Sequence, residues 1–135
     1  MVLHLGYFEN FQGSNTILLC GDEGELPWLA DHLRTLEAAN TKSVNLHLLP
    51  FVRAHGSVEL AARPMDRELG VRRAGPAPCF AWHHSEEGWL ESAEKVEAVA
   101  RGNGGHCYLG EAPPGDAVVM VSKDEYDEAW WKEHG

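Results

Sequence analysis

Cations are scarce in this chain: 11 Lys and Arg stand against 21 Asp and Glu, a formal net charge of −10. Nucleic-acid affinity depends on Lys and Arg displacing counterions from phosphates, so no nucleic-acid partner is expected. An acidic surface suits solubility or a basic protein partner. Long apolar runs are also missing. None approaches the roughly 20 residues of a membrane span, and "MVLHLGYFEN" has neither a basic leader nor a continuous apolar stretch. The expectation is a soluble, cytoplasmic protein without a membrane partner.

Cysteines are few, odd in number and far apart: Cys20, Cys79 and Cys107. That pattern does not indicate a disulfide framework and favours reduced thiols. No CxxC or HExxH spacing offers a metal site, although eight histidines are many for 135 residues. If any metal is held, His47, His83 and His106 are its candidate ligands. His47 and His106 occupy similar places in the two halves described below. Gly102, Gly104 and Gly105 follow a helix rather than precede one, so they do not form a phosphate cradle. A nucleophile elbow and a Ser-His-Asp pattern are absent as well. Nothing demands catalysis, and no cofactor is expected.

What is present is alternation of strand and helix patterns. "NTILLCG" is a β-branched, aliphatic strand. In the helix that follows, Asp22, Glu23 and Glu25 crowd the N-terminus, where the dipole favours negative charge. Pro27 fits its first turn, and Leu26, Leu29, Ala30, Leu33 and Leu36 share one face. "SVNLHLL" and "GSVELAARP" alternate as strands. The second half repeats this order. Strand "PCFAWHH" leads to a helix capped by Ser85, with Trp89, Ala93, Val96 and Ala100 on one face. Strands "HCYLG" and "DAVVMVS" follow, and the turn "EAPPG" takes the place of "PFVRAHG" in the first half.

These patterns predict one α+β domain over 1–135. Two similar β-α-β-β halves, about 15–64 and 78–123, would form one mainly antiparallel sheet with two helices on one face. "MVLHLGYF" would add an edge strand, "VRRAGPAP" an extended connector, and residues 124–134 a short C-terminal helix.

Strand parity separates the adjacent pair His106 and Cys107. Side chains alternate between faces, so His106 falls with Tyr108 on one face, while Cys107 falls with Leu109 on the other. His106 and Tyr108 therefore mark a candidate functional strand, and Cys107 fits a buried structural thiol.

The segments "GDEGELPWLADHL", "SVEL", "GHCYL" and "VSKDEY" together resemble bacterial polymorphic-toxin immunity proteins, immunity protein family thirty-two, over roughly residues 15–126. Gly105-His106-x-Tyr108-Leu109 and Ser122-Lys123-x-Glu125-Tyr126 are the most specific parts. Cys107 stands where a polar residue such as Gln is more usual, which weakens a nucleophilic role for it. The resemblance implies a single-domain inhibitor, monomeric or homodimeric, that neutralises a cognate toxin by direct contact. A basic toxin, with nucleases among the candidates, would suit the acidic chain. The expected contact residues are Glu86, Glu87, Glu91 and Glu94 on the second helix, and Asp124, Glu125, Tyr126, Asp127, Glu128 and Trp130 near the C-terminus. Two alternatives remain at this point: a metal- or thiol-dependent enzyme using Cys107 with nearby histidines, and a homodimeric structural domain.

Overall fold

A computed structural model describes residues 2–11, 13–36, 43–66, 70–76, 78–109 and 116–134. The turn at "EAPPG" lies outside these residues, as does the segment following Leu36. Nine strands and three helices are described: β1 (Leu3–Phe11), β2 (Ser14–Gly21), α1 (Glu25–Thr35), β3 (Val44–Asn45), β4 (Val52–Ala54), β5 (Glu59–Pro64), β6 (Gly70–Arg73), β7 (Cys79–His84), α2 (Glu86–Arg101), β8 (Gly105–Leu109), β9 (Val118–Lys123) and α3 (Glu128–His134). The class is α+β. No described helix is long and apolar enough to cross a membrane.

The expected single sheet is instead two mixed sheets, ordered β4-β1-β2-β9-β8 and β3-β5-β7-β6. Their central pairs, β2 with β9 and β5 with β7, are parallel, and the β1–β2, β8–β9, β3–β5 and β6–β7 pairs are antiparallel. Exchanging the halves (β1 for β6, β2 for β7, β3 for β8, β5 for β9) converts β1-β2-β9-β8 into β6-β7-β5-β3. Each half thus gives its first hairpin to one sheet and its last two strands to the other. Alternation in the sequence identifies the buried face of a strand but not its partner, which is why this interlocking was hidden.

One core joins the inner faces of both sheets. Leu3, Leu5, Ile17, Leu19, Val119 and Val121 enter from the first, and Leu60, Ala62, Phe80 and Trp82 from the second. The predicted helical stripes fill it: Leu26, Leu29, Ala30, Leu33 and Leu36 of α1, and Trp89, Ala93, Val96 and Ala100 of α2, are all buried. An Arg34–Glu97 ion pair ties the two helices together. Ser85 caps α2 as expected, its Oγ accepting from the Gly88 N–H at 3.2 Å. Gly104 and Gly105 turn the chain from α2 into β8 with φ of 108° and 110°, a region that favours glycine. A bridge from Val71 to Ala117 links the two sheets at one corner.

Three local expectations change. "SVNLHLL" is extended only at Val44–Asn45, then forms a 3-10 turn over Leu46–Leu48. Leu46 is fully buried and Leu48 is 70% exposed, so the two do not share a strand face. The His47 Nδ1 accepts from the Leu60 N–H at 3.0 Å, replacing a ladder bond. Val71–Arg73 belongs to β6 rather than to a connector, because it pairs with β7. β1 is no edge strand: short β4 pairs along its outer side in parallel.

Candidate functional site

The outer face of the five-stranded sheet carries a row of polar side chains. His4 pairs with Cys20, Cys20 with Ser122, and Ser122 with His106, placing one residue from each of four strands at the same level. Directly opposed residues point to the same face, so the row runs across β1, β2, β9 and β8. Below it the face is apolar, with Leu18, Met120, Phe8 and Phe11.

The segment from Asp124 into α3 lies over this row. At one end Glu125 accepts from Ser122 Oγ at 2.6 Å, and its two carboxylate oxygens lie 3.0 and 3.1 Å from His106 Nδ1. In the middle, Cys20 Sγ donates to the Tyr126 carbonyl at 3.4 Å. At the other end His4 Nε2 lies 3.0 Å from Glu128 Oε1, and His4 Nδ1 lies 2.9 Å from His55 Nε2. A carboxylate only accepts, so His4 donates from Nε2 and shares one proton with His55 through Nδ1. The His4 hydrogen bond, assisted by Arg53, holds the Glu128 carboxyl below its ordinary value. Burial pushes the Cys20 thiol up to about 11, so it is a thiol, not a thiolate, at neutral pH.

Trp131 fixes α3 in place. Its ring stacks on His4 and His55, with centroids 4.9 and 4.6 Å away. Gly6 lies beneath it, where a Cβ would stand 2.8 Å from the Trp131 ring. Only glycine permits that approach.

Beside the row, at the carboxyl ends of parallel strands β2 and β9, opens a cleft of about 440 Å³. Crevices at such strand ends are common ligand sites in sheets with parallel strands. Its walls come from His4 of β1, Cys20 and Gly21 of β2, Asp22 and Glu25 at the start of α1, and Asp124, Tyr126, Asp127 and Glu128 of the overlying segment. Among the described lining residues five are carboxylates and none is Lys or Arg. Lys123 is adjacent but committed: its Nζ donates to the Ala100 and Gly102 carbonyls, each at 2.8 Å, at the end of α2.

Glu25 is only 3% exposed, and its Oε2 has no hydrogen-bond partner. Its carboxyl is hydrogen-bonded to that of Asp22, which also accepts from the Gly24 N–H at 2.8 Å. Burial, followed by the Asp22 contact, raises Glu25; the Glu25 hydrogen bond and then the Gly24 amide lower Asp22. The pair is thus split, Glu25 holding its proton more tightly than an ordinary glutamate and Asp22 less tightly than an ordinary aspartate.

Of the residues expected from the sequence, Asp124, Tyr126, Asp127 and Glu128 line this cleft. Glu125 grips the polar row, and Trp130 packs on Phe8, Phe11 and Tyr126. Glu86, Glu87, Glu91 and Glu94 are exposed on α2 and do not line the cleft. His106 and Tyr108 do share a face, ring centroids 5.8 Å apart, while Cys107 packs against the main core. Cys107 Sγ contacts the Tyr108 carbonyl at 3.6 Å rather than a histidine. His47 and His106 are not brought together, since one bonds in the four-stranded sheet and the other in the five-stranded sheet. His83, on β7, has an unpartnered Nδ1. No group of three or more metal-ligating side chains occurs among the described residues.

The two most specific motif segments meet in space: Gly105 pairs with Lys123 and His106 with Ser122. No family model, no curated protein and no solved structure matches the chain. His4, Cys20, Asp22, Glu25 and His55 were missed as site residues. Asp22 and Glu25 did carry a signal, as acids crowded at a helix start, but the dipole accounted for them without a cleft.

Proposed function

We propose that this chain is an immunity-type binding protein that neutralises a cognate toxin by direct contact, receiving a basic part of it in the acidic cleft. The observation that carries this reading is the lining itself: five carboxylates without a lysine or arginine among the described lining residues. A cleft of one sign focuses its field outward and speeds capture of an opposite charge. The overall charge of −10 adds to that field. The meeting of the two motif segments beside the cleft supports the same reading. Metal- or thiol-based catalysis finds less support, because Cys107 faces the core and the Cys20 thiol is held protonated.

The test is co-expression with each candidate toxin domain that the genes flanking this chain's own encode. Wild type is expected to restore growth, and the triple variant Asp124→Lys, Asp127→Lys, Glu128→Lys to lose that protection while folding. Full protection by the triple variant, or none by wild type, would refute the proposal.

A further inference from the structure

We infer that the Asp22–Glu25 pair is the recognition point of the cleft and seats one ammonium or guanidinium side chain of the basic partner. The inference rests on the binding reading above and gives it a chemical address. Glu25 is the reason to choose this pair among the carboxylates. Its side chain lines the cleft, is almost wholly buried, and keeps one oxygen unpartnered. A buried carboxyl oxygen without a donor costs free energy that an entering N–H would recover. A guanidinium or ammonium brings several N–H donors and the opposite charge, and such charge-assisted bonds are the strong ones.

No lysine or arginine side chain pairs with Asp22 or Glu25 among the described residues. Lys123 Nζ is held by the end of α2 and reaches Glu23 only at 3.8 Å. Arg53 lies 3.7 Å from Glu128, which also bonds His4, so that carboxylate is already engaged. Asp124 and Asp127 line the mouth and add attraction; Cys20, from β2, contributes a neutral thiol.

Proton coupling follows from the same geometry. Glu25 is held towards its acid form by burial and by the Asp22 contact. A cation seated on the pair favours both carboxylates ionised, so it binds more tightly as Glu25 loses its proton. Affinity therefore rises with pH through the Glu25 titration and levels off above it.

Ethylguanidinium is the probe, with neutral N-ethylurea as control, titrated into the whole chain. Amide NMR shifts locate binding, and calorimetry over a series of pH values follows its affinity. The expected result is saturable shifts at residues 22–25 and 124–128, with affinity rising with pH and no response to N-ethylurea. Glu25→Gln, folded by circular dichroism, should bind about tenfold more weakly and lose most of the pH dependence. Asp22→Asn should weaken binding similarly, and supplies the reading if Glu25→Gln does not fold. An affinity that does not change with pH, shifts confined elsewhere, or unchanged affinity in the variants would overturn the inference. Loss of toxin binding in the Asp124, Asp127, Glu128 triple variant but not in Asp22→Asn would leave the functional proposal standing and remove this one. Probe binding at the pair with no toxin recognised by wild type would do the reverse.

Discussion

The two sheets share a pairing scheme, yet their outer faces have gone separate ways. In the five-stranded sheet, the next-to-last residues of β2 and β9 are Cys20 and Ser122, paired and covered by the segment leading into α3. In the four-stranded sheet, the equivalent positions on β7 and β5 are His83 and Arg63, also paired, with Gly70 opposite His83. Nothing corresponding to α3 covers them among the described residues; Arg63 and Arg72 are exposed. Burial, then Arg63 and Arg72, lowers the His83 pKa. The inner faces had to remain apolar to close one core, whereas the outer faces were free. One lies beside an acid-lined cleft under a helix, and the other carries the exposed Arg63 and Arg72.

The largest effect that would break this contrast is at Trp131. Trp131→Ala should cost about 3–5 kcal/mol, as expected for a buried aromatic, and uncouple α3 from His4 and His55. Arg63→Ala on the other sheet should change stability by no more than about 0.5 kcal/mol. Denaturant titration of the two variants gives both numbers, and equal effects would deny the asymmetry.

Gly6→Ala should destabilise by about 1–3 kcal/mol, because the new Cβ meets the Trp131 ring at 2.8 Å and Phe8 at 2.9 Å. Thermal melts and the near-ultraviolet signal of the tryptophans check it. A next, smaller effect lies in alkali. Cys20 titrates near 11 when folded and 9.0 when exposed, so the folded state holds the proton more tightly. Stability is intact below about pH 9 and declines towards pH 11, by somewhat less than the ~2.7 kcal/mol that two units would give. Cys20→Ala should flatten that decline; an unchanged slope would show that another group causes it.

The smallest effect is on the open sheet. His83 is harder to protonate when folded than when unfolded, so acidification below its ordinary value of 6.5 removes stability. Arg63→Gln should raise the His83 pKa and reduce that loss, as followed by imidazole NMR. A fall in the pKa would contradict the assignment of the neighbouring arginine as a cause.

Local elements were legible because their signals are local. Ser85 as a cap, the leucine face of α1, and the opposed parity of His106 and Cys107 each follow from residues a few positions apart. The pairing of β2 with β9 was not, since it spans about a hundred positions and alternation is silent about partners. The site was half legible for the same reason. Asp124, Tyr126, Asp127 and Glu128 stood out as an acidic, aromatic run, but Asp22 and Glu25 join them only once β2 and β9 lie side by side. The 3-10 turn at Leu46–Leu48 was obscured by a leucine alternation that a side-chain bond from His47 overrides.

Two acidic regions compete for the contact: the cleft, and the exposed α2 row of Glu86, Glu87, Glu91 and Glu94. Stopped-flow association with the toxin domain that the proposed function requires, over a range of salt concentrations, separates them most directly. Neutralising Asp124, Asp127 and Glu128 is predicted to slow association about tenfold at low salt and to flatten its salt dependence. Neutralising the four α2 glutamates is predicted to leave the rate within about twofold. The opposite pattern, with α2 controlling the rate and the cleft residues without effect, would contradict the account.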